Sequence, residues 1–179
     1  MAKMFLMCGH PGSGKSTYAK ELAKQNHYRY LSIDDMYAAF NGDPTSHENK
    51  FDVWMTFFRQ IHAAEVAGQD IVVDTNAPTR ADRDEFLNWF PNFEHHLIWV
   101  IAPLDLCLKN NQNRSRVIPT DQMHKLFEFF EPIRYDEYCW HSGRRSKWVS
   151  ISAIVNNNNH FEKRDEIFGH FPKDVIEWV

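Results

Sequence analysis

A glycine-rich stretch near the N-terminus constrains the fold of this chain more than any other feature. The residues Gly9-His10-Pro11-Gly12-Ser13-Gly14-Lys15-Ser16-Thr17 follow an apolar run, Met4–Cys8, and lead into a segment of helical periodicity, Ser16–Lys24. A glycine, four further residues and then Gly-Lys-Ser is the spacing of a phosphate-binding loop, or P-loop. The glycines permit a tight turn whose N–H groups point into one anion-sized nest, and the helix that follows adds its positive end. The stretch therefore predicts a site for the phosphates of a nucleoside triphosphate.

The residue types of this loop indicate which ligands to expect. Lys15 supplies a mobile ammonium for the β- and γ-phosphates, and the Ser16 hydroxyl suits a Mg²⁺ ion that keeps several of its waters. The alternative is a glycine-rich turn that matches by chance, and the strand before it and the helix after it argue against that interpretation. We therefore expect ATP and Mg²⁺ at a site formed by Gly9, Gly12, Ser13, Gly14, Lys15, Ser16 and Thr17.

Composition excludes several other classes of protein. The 179 residues fit one domain, and a hydrophobic content of 43% excludes a disordered chain. The net charge of −4 argues against a surface coated with basic residues for long nucleic acids. The longest apolar run, Leu97–Ala102, is too short to cross a bilayer, and the N-terminus leaves no room for a signal peptide. Since the cysteines are also few and scattered, we expect a reduced, cytoplasmic protein with no membrane partner.

Alternating strand and helix patterns indicate an α/β domain with a parallel sheet. The predicted strands are Met4–Cys8, Tyr28–Ile33, Ile71–Val73, His96–Ala102 and Trp148–Val155. The predicted helices are Ser16–Lys24, Met36–Phe40, a long helix from an N-cap at Ser46 to Ala67, Ala81–Phe90, Leu104–Lys109 and a last helix from Pro119 to about Glu131. Residues 156–159 are predicted as a loop. A tail of about 160–179 is expected to pack on the body of a single domain, 1–179.

Polar residues stand at the ends of three predicted strands, namely the P-loop, Asp34-Asp35 and Asp74-Thr75-Asn76. Ligands of a parallel sheet bind outside the carboxyl ends of its strands. These three clusters are therefore expected to converge on one crevice.

Asp34 is the best candidate for a general base, because a carboxylate near an acceptor hydroxyl can take its proton during phosphoryl transfer. The alternative is that Asp34 or Asp35 only caps the following helix, and two adjacent aspartates allow both roles. Asp74 is expected to act on Mg²⁺ through water or to orient the acceptor. The alternative role for Asp74, Thr75 and Asn76 is turn formation before Pro78.

The segment 110–116 is polar and contains Arg114 and Arg116 between two predicted helices. This pattern fits a lid, at about 110–118, whose arginine closes over the phosphates, and the alternative is a solvated loop. Arg144, Arg145 and Lys147 form a second basic cluster, for which a solvated turn is the commoner explanation. His10 is assigned no catalytic role, and the histidines lack the spacing of zinc ligands.

Taken in order, four groups of residues resemble a known family. These are the P-loop, then Leu31-Ser32-Ile33-Asp34-Asp35, then Ile71-Val72-Val73-Asp74-Thr75-Asn76 with Arg80 or Arg83 beyond, then Arg114 before Ile118-Pro119. The order is similar to that in the kinase domain of phage-type polynucleotide 5′-hydroxyl kinases and related P-loop kinases. The resemblance covers Met4 to about Glu131.

The resemblance implies a P-loop NTPase of the nucleoside-kinase-like type, a three-layer α/β sandwich with a central parallel sheet and a helical lid. It implies that Lys15, Asp34 as general base and Arg114 in the lid are catalytic, that Ser16 is the metal ligand, and that Asp74 lies beside the acceptor. Asp35 and Asn76 complete the expected acceptor-binding set.

Two departures from the family pattern concern the acceptor. Tyr37 stands where the family often has an arginine that grips the acceptor's phosphate, and Asn110 stands in place of an earlier lid arginine. The resemblance therefore implies ATP-dependent phosphoryl transfer to a hydroxyl, with a nucleic-acid 5′ end or a nucleotide as the leading acceptor. The alternatives are a small-metabolite kinase and an ATP-binding or ATPase module that acts through a partner.

Overall fold

The computed structural model describes residues 1–42, 48–114, 117–133, 137, 148–158 and 160–164. A six-stranded sheet forms the centre, and its spatial order is β2-β3-β1-β4-β5-β6. The first five strands in chain order run parallel to one another, and β6 pairs antiparallel with β5. The predicted fold class is confirmed: it is a nucleoside-kinase-like P-loop fold with a central, mostly parallel sheet.

The strands β1 to β5 and the helices between them follow one another in the order that the sequence pattern predicts. The strands are β1 (Lys3–Cys8), β2 (Arg29–Ser32), β3 (Ile71–Asp74), β4 (Glu94–Ile101), β5 (Trp148–Asn157) and β6 (His160–Arg164). The helices are α1 (Lys15–Asn26), α2 (Ile33–Asn41), α3 (Lys50–Ala67), α4 (Arg80–Trp89), α5 (Leu104–Gln112) and α6 (Thr120–Phe129). Within the described residues, no helix combines the length and the apolar character that crossing a membrane would require.

Apolar side chains cover both faces of the sheet. Every residue of β3 is buried, as expected for a continuous β-branched run between two layers of helices. On one face, side chains of α2, α3 and α4 pack on the sheet in the largest cluster, around Phe57, Ile61 and Trp99. On the other face, α1 contributes Ala19 and Ala23. β1 lies between β3 and β4, so the loop that follows β1 is at the centre of the sheet's edge.

The boundary between β2 and α2 differs from the sequence prediction. The strand ends at Ser32 and the helix begins at Ile33, so Asp34 and Asp35 lie in the first turn of the helix rather than at a strand end. Ser32 is the N-cap, and its Oγ accepts a hydrogen bond from the backbone N–H of Asp35 at 3.2 Å. The alternative role of Asp34 or Asp35 as helix cap is therefore not used, because Ser32 already occupies that position.

The C-terminal part of the sheet also differs from the prediction. β5 continues through Asn156 and Asn157, which the sequence assigned to a loop, and β6 pairs antiparallel with it. β6 is a polar, mostly exposed edge strand, so it lacks the apolar alternation that identifies a strand. The predicted N-cap at Ser46, the basic cluster Arg144, Arg145 and Lys147, and most of the predicted tail lie outside the described residues.

Candidate functional site

One cleft lies at the carboxyl ends of the parallel strands and has a volume of about 880 Å³. Residues selected from the sequence lie on its walls, among them Lys15, Asp34, Asp74, Asn76 and Arg114. They come from the P-loop, α2, the end of β3 and the segment after α5, which are far apart in the chain. The structure therefore brings most of the predicted donor and acceptor residues together, and Asp35 is the exception on the acceptor side.

Backbone geometry explains why glycine occupies key positions of the P-loop. Gly12 has φ +80°, and a Cβ atom there would lie 2.4 Å from the carbonyl oxygen of Cys107. Gly9 has φ +138°, and a Cβ atom there would lie 2.3 Å from the carbonyl oxygen of Val100. Both contacts are with backbone atoms that cannot move aside easily. The loop thus requires glycine both for its conformation and for its close approach to β4 and α5.

The P-loop residues selected from the sequence are not all at the cleft surface. Gly12, Gly14, Lys15, Ser16 and Thr17 line the cleft. Gly9 and Ser13 are buried beneath it, and the Oγ of Ser13 has no hydrogen-bond partner among the described residues. For Gly9 and Ser13, the structure therefore indicates a role in shaping the loop more than direct contact with a ligand.

Two asparagine side chains brace the P-loop from outside. Asn156, fully buried at the end of β5, donates from Nδ2 to the carbonyl oxygen of Ser13 at 2.8 Å. Asn110 on α5 donates from Nδ2 to the carbonyl oxygen of Gly12 at 2.9 Å. Both amides satisfy carbonyl groups of the loop and so hold its backbone in the conformation in which N–H groups can serve an anion.

Lys15 is buried at the start of α1, and its Nζ donates to the carbonyl oxygen of His10 at 3.3 Å. Burial lowers the pKa of Lys15, the negative charge of Asp74 opposes that decrease, and the positive charge of Arg114 adds to it. An ammonium in such surroundings is poorly compensated. A polyphosphate bound in the loop would supply the missing negative charge, which is what a P-loop lysine requires.

His10 packs between aromatic rings and does not face the cleft. Its ring stacks on Phe127 with 3.7 Å between centroids and a 4° interplanar angle, and Phe130 lies 4.5 Å away. Burial, with help from the charge of Lys15, lowers the pKa of His10 to about 4. Neither ring nitrogen has a hydrogen-bond partner among the described residues. His10 is therefore a neutral packing residue that joins the P-loop to α6.

The two neighbouring aspartates of α2 face different cavities. Asp34 lines the main cleft, and its Oδ2 lies 3.7 Å from Nη2 of Arg114. Both side chains are partly exposed, so this ion pair is a weak and reversible contact. Asp35 lies with Lys20, Lys24 and Tyr30 around a second, shallower cavity. Of the two predicted acceptor-side roles on α2, the geometry favours Asp34 and places Asp35 away from the cleft.

Asp74, the last residue of β3, is buried and lines the cleft. Its Oδ2 accepts a hydrogen bond from the hydroxyl of Tyr30 at 2.7 Å. Asn76, two residues further on, uses its backbone carbonyl to accept a bond of 3.4 Å from the N–H of Gly9. The loop after β3 is thus tied directly to the beginning of the P-loop.

Several aromatic side chains line the cleft, on what we call its far wall. Tyr37, Trp54, Phe86 and Phe129 contribute to it, and Lys50 at the start of α3 adds a cationic side chain. Tyr37 is buried, whereas Phe129 is exposed. An acceptor in the cleft would therefore meet flat aromatic surface as well as polar side chains such as Asp82 and Glu85, which also line it.

A buried ion pair supports this wall from behind. Arg83 on α4 donates from Nε and Nη2 to the carboxylate of Glu137 at 2.9 and 2.7 Å. Its Nη1 donates to the carbonyl oxygens of Ala77 and Pro78, each at 3.3 Å, and to that of Glu131 at 3.2 Å. Arg83 therefore fixes the backbone of the cleft wall and does not contact the cleft itself.

The donor set suits Mg²⁺ held mainly by the nucleotide. Within the described residues, no cluster of three or more His, Cys, Asp or Glu side chains forms a protein cage for a metal ion. Mg²⁺ in nucleotide sites commonly uses one or two protein ligands together with phosphate oxygens and water. The Ser16 hydroxyl and the Asp74 carboxylate both line the cleft and fit that requirement.

Strand order, P-loop and cleft together define a P-loop protein of kinase-like fold. The chain belongs to a family described as an AAA domain, whose model matches residues 4–133.

Solved structures, two of them kinases, share this fold at low sequence identity. A gluconokinase from Sinorhizobium meliloti 1021 is 16% identical, with a TM-score of 0.57 over 86% of this chain and 82% of that one. A shikimate kinase from Acinetobacter baumannii, solved with shikimate, is 20% identical, with a TM-score of 0.53 over 88% and 85%. A chain of the Pnkp1/Rnl/Hen1 RNA repair complex is 16% identical, with a TM-score of 0.64 over 72% of this chain and 43% of that one. These likenesses concern the fold alone.

Three residues that the site depends on were not predicted to have these roles. Asn110 was noted only as a replaced arginine, Asn156 was assigned to a loop, and Tyr30 received no role. A polar residue at the end of an apolar strand is a signal that could have identified Asn156, since the same rule identified Asp74. The contacts of Asn110 and Tyr30 depend on tertiary packing and leave no local signal.

Proposed function

We propose that this protein is an ATP-dependent kinase that transfers the γ-phosphoryl group to a hydroxyl acceptor. The observation that carries the proposal is the placement of Asp34 and Arg114 on the walls of the same cleft as the P-loop lysine, Lys15. A module that only binds ATP does not need a carboxylate and an arginine facing the phosphate site. A transferase needs both.

Each residue then has a defined task in the transfer. Lys15 and the N–H groups of the P-loop hold the β- and γ-phosphates of ATP. Asp34 accepts the proton of the acceptor hydroxyl while that oxygen attacks the γ-phosphorus. The bond to the β-phosphate oxygen breaks, and ADP leaves. Arg114 contacts Asp34 through a weak ion pair. During transfer its guanidinium releases Asp34 and stabilises the negative charge that develops on the transferred group.

Mg²⁺, when bound, neutralises phosphate charge. Ser16 and Asp74 would hold it, Ser16 through its hydroxyl and Asp74 through a water molecule. The burial of Asp74 and its bond to Tyr30 keep the carboxylate in place for this task or for orienting the acceptor.

A nucleic-acid 5′-hydroxyl or a nucleotide is the proposed acceptor, as in the phage-type polynucleotide kinases that the motifs resemble. The aromatic far wall supports it, because Trp54 and Phe86 offer surfaces on which a base can stack. A small metabolite is the second candidate. It is favoured by Tyr37, a buried phenol at the position where the family often has a phosphate-binding arginine.

Labelled ATP incubated with 5′-hydroxyl oligonucleotides, nucleosides, nucleotides and small alcohols, including sugars, tests the proposal. We expect acid-stable label on one class of acceptor. Asp34→Asn should retain ATP binding and lose transfer, since the amide cannot accept the proton.

Slow release of phosphate by the wild-type protein, without label on any acceptor, would favour an ATPase module instead. Equal loss of ATP binding and transfer in Asp34→Asn would mean that Asp34 has a structural or metal-binding role.

A further inference from the structure

Tyr30 lies behind the catalytic cleft, at the point where its two carboxylate-bearing elements meet. It is half-buried on β2, next to β3, and is paired in register with Val72. Side chains two residues apart on a strand share a face, so Tyr30 and Ser32 lie on the same side as Val72 and Asp74. The tyrosine hydroxyl can therefore reach diagonally across the two strands to the end of β3.

The contact that results is short and charge-assisted. Tyr30 donates from its hydroxyl to Oδ2 of Asp74 at 2.7 Å. Burial raises the pKa of Tyr30 well above its ordinary value, and the charge and the hydrogen bond of Asp74 add to that rise. The phenol is thus a permanent donor at any working pH. A hydroxyl that donates to a carboxylate forms one of the stronger hydrogen bonds in proteins.

The same corner of the structure holds the start of α2. Ser32, two residues after Tyr30, caps this helix through its bond to the N–H of Asp35. The Ser32 side chain also interacts with the Tyr30 hydroxyl and partly offsets the rise in its pKa. Asp34 is in the first turn of the helix that begins here. One phenol hydroxyl therefore touches Asp74 directly and adjoins the cap that sets the position of Asp34.

We propose that Tyr30 is a positioning residue for phosphoryl transfer, which orients the Asp74 carboxylate by holding Oδ2 and leaves Oδ1 for the metal-bound water or the acceptor hydroxyl. This inference rests on the proposed function. Without the phenol hydroxyl, Asp74 is free to rotate toward Lys15, whose charge it already influences. The rate of the transfer step should then decrease, because a displacement of about 1 Å in a positioned group can lower the rate on the order of a hundredfold.

Tyr30→Phe tests this role, because the ring, its packing and the overlying Lys20 ammonium at 5.5 Å are retained. We expect kcat to fall at least roughly tenfold, while KM for ATP changes less than about threefold. The matched control is Tyr28→Phe, which removes the same hydroxyl from a neighbouring tyrosine whose ring stacks on Phe5 at 5.2 Å. Its kcat should stay within about twofold of the wild-type value.

A double-mutant cycle separates positioning from a merely structural contribution. If Tyr30 acts through Asp74, adding Tyr30→Phe to Asp74→Asn should lower kcat little further. Thermal unfolding of each variant shows whether the fold is intact. The inference is overturned if folded Tyr30→Phe retains kcat within about twofold of wild type, or if its effect multiplies with that of Asp74→Asn. A wild-type protein that transfers phosphate to no acceptor would instead refute the proposed function.

Discussion

Replacing Arg83 by methionine should destabilise the protein strongly, because the change takes from the buried Glu137 carboxylate its bidentate partner. The Arg83 side chain is fully buried and that of Glu137 is 2% exposed. Removing one partner from such a pair typically costs about 3–5 kcal/mol of the free energy of unfolding. The stability of a whole domain is only about 5–15 kcal/mol, so this one substitution removes a large fraction of it.

Urea and thermal unfolding measure this loss. In a chain of this size, each kcal/mol lowers the melting temperature by about 2–4 °C, so the midpoint of Arg83→Met should fall by roughly 6–20 °C. The matched control is Arg80→Met on the same helix. The side chains of Arg80 and Asp84 are both about half exposed, and Nε of Arg80 lies 3.9 Å from Oδ2 of Asp84. The control should therefore lose less than about 1 kcal/mol of the free energy of unfolding.

The paired replacement of Arg83 and Glu137 by methionine distinguishes charge from volume. It should recover part of the stability that Arg83→Met loses, because the Glu137 charge is then no longer buried without Arg83. The hydrogen bonds from Nη1 of Arg83 to three backbone carbonyls remain lost. A loss below about 1 kcal/mol for Arg83→Met would refute the reasoning. So would equal losses in Arg83→Met and Arg80→Met.

Three further predictions concern the P-loop. Lys15→Ala should abolish turnover, and activity within about tenfold of wild type would contradict the role of Lys15 in holding the β- and γ-phosphates. Gly12→Ala should weaken ATP binding in a calorimetric titration, because the added Cβ would meet the carbonyl of Cys107 at 2.4 Å; unchanged affinity would show that the loop tolerates the shift. The third concerns His10, whose folded-state pKa of about 4 lies below the unfolded value of 6.5. Its contribution to stability should therefore be complete above pH 6.5 and decrease by about 3 kcal/mol as the pH falls to 4. In urea titrations at several pH values, the free energy of unfolding of His10→Phe should change less with pH in the acid range than that of the wild type. An unchanged pH dependence would contradict the description of His10 as a buried, neutral residue.

The sequence predicts the parts of this fold that local patterns encode. The P-loop pattern identifies a phosphate-binding turn between a strand and a helix. The β-branched run of β3 and the apolar run of β4 each identify a buried strand. Asp34 and Asp74 could be placed on one crevice because parallel strands end at a common edge. The order of these elements was enough to identify the fold class.

The sequence does not predict features for which several residues suit the same position. It also does not predict features that depend on contacts between residues far apart in the chain. Ser32 and the two aspartates after it are all good helix caps, and only the folded geometry shows that the serine is used. β6 is polar and is a strand because β5 offers it an edge. Arg83 carries no local mark of a buried residue, since arginine is usually exposed.

The two asparagines that brace the P-loop have a consequence for how the site responds to its surroundings. Amide side chains carry no charge, so the bonds from Asn110 and Asn156 to the loop carbonyls do not titrate and are little affected by ionic strength. The attraction of the cradle for an anion depends instead on the charges of Lys15 and Arg114. A change of salt concentration should therefore alter how strongly the cradle attracts an anion and leave the bonds from Asn110 and Asn156 in place.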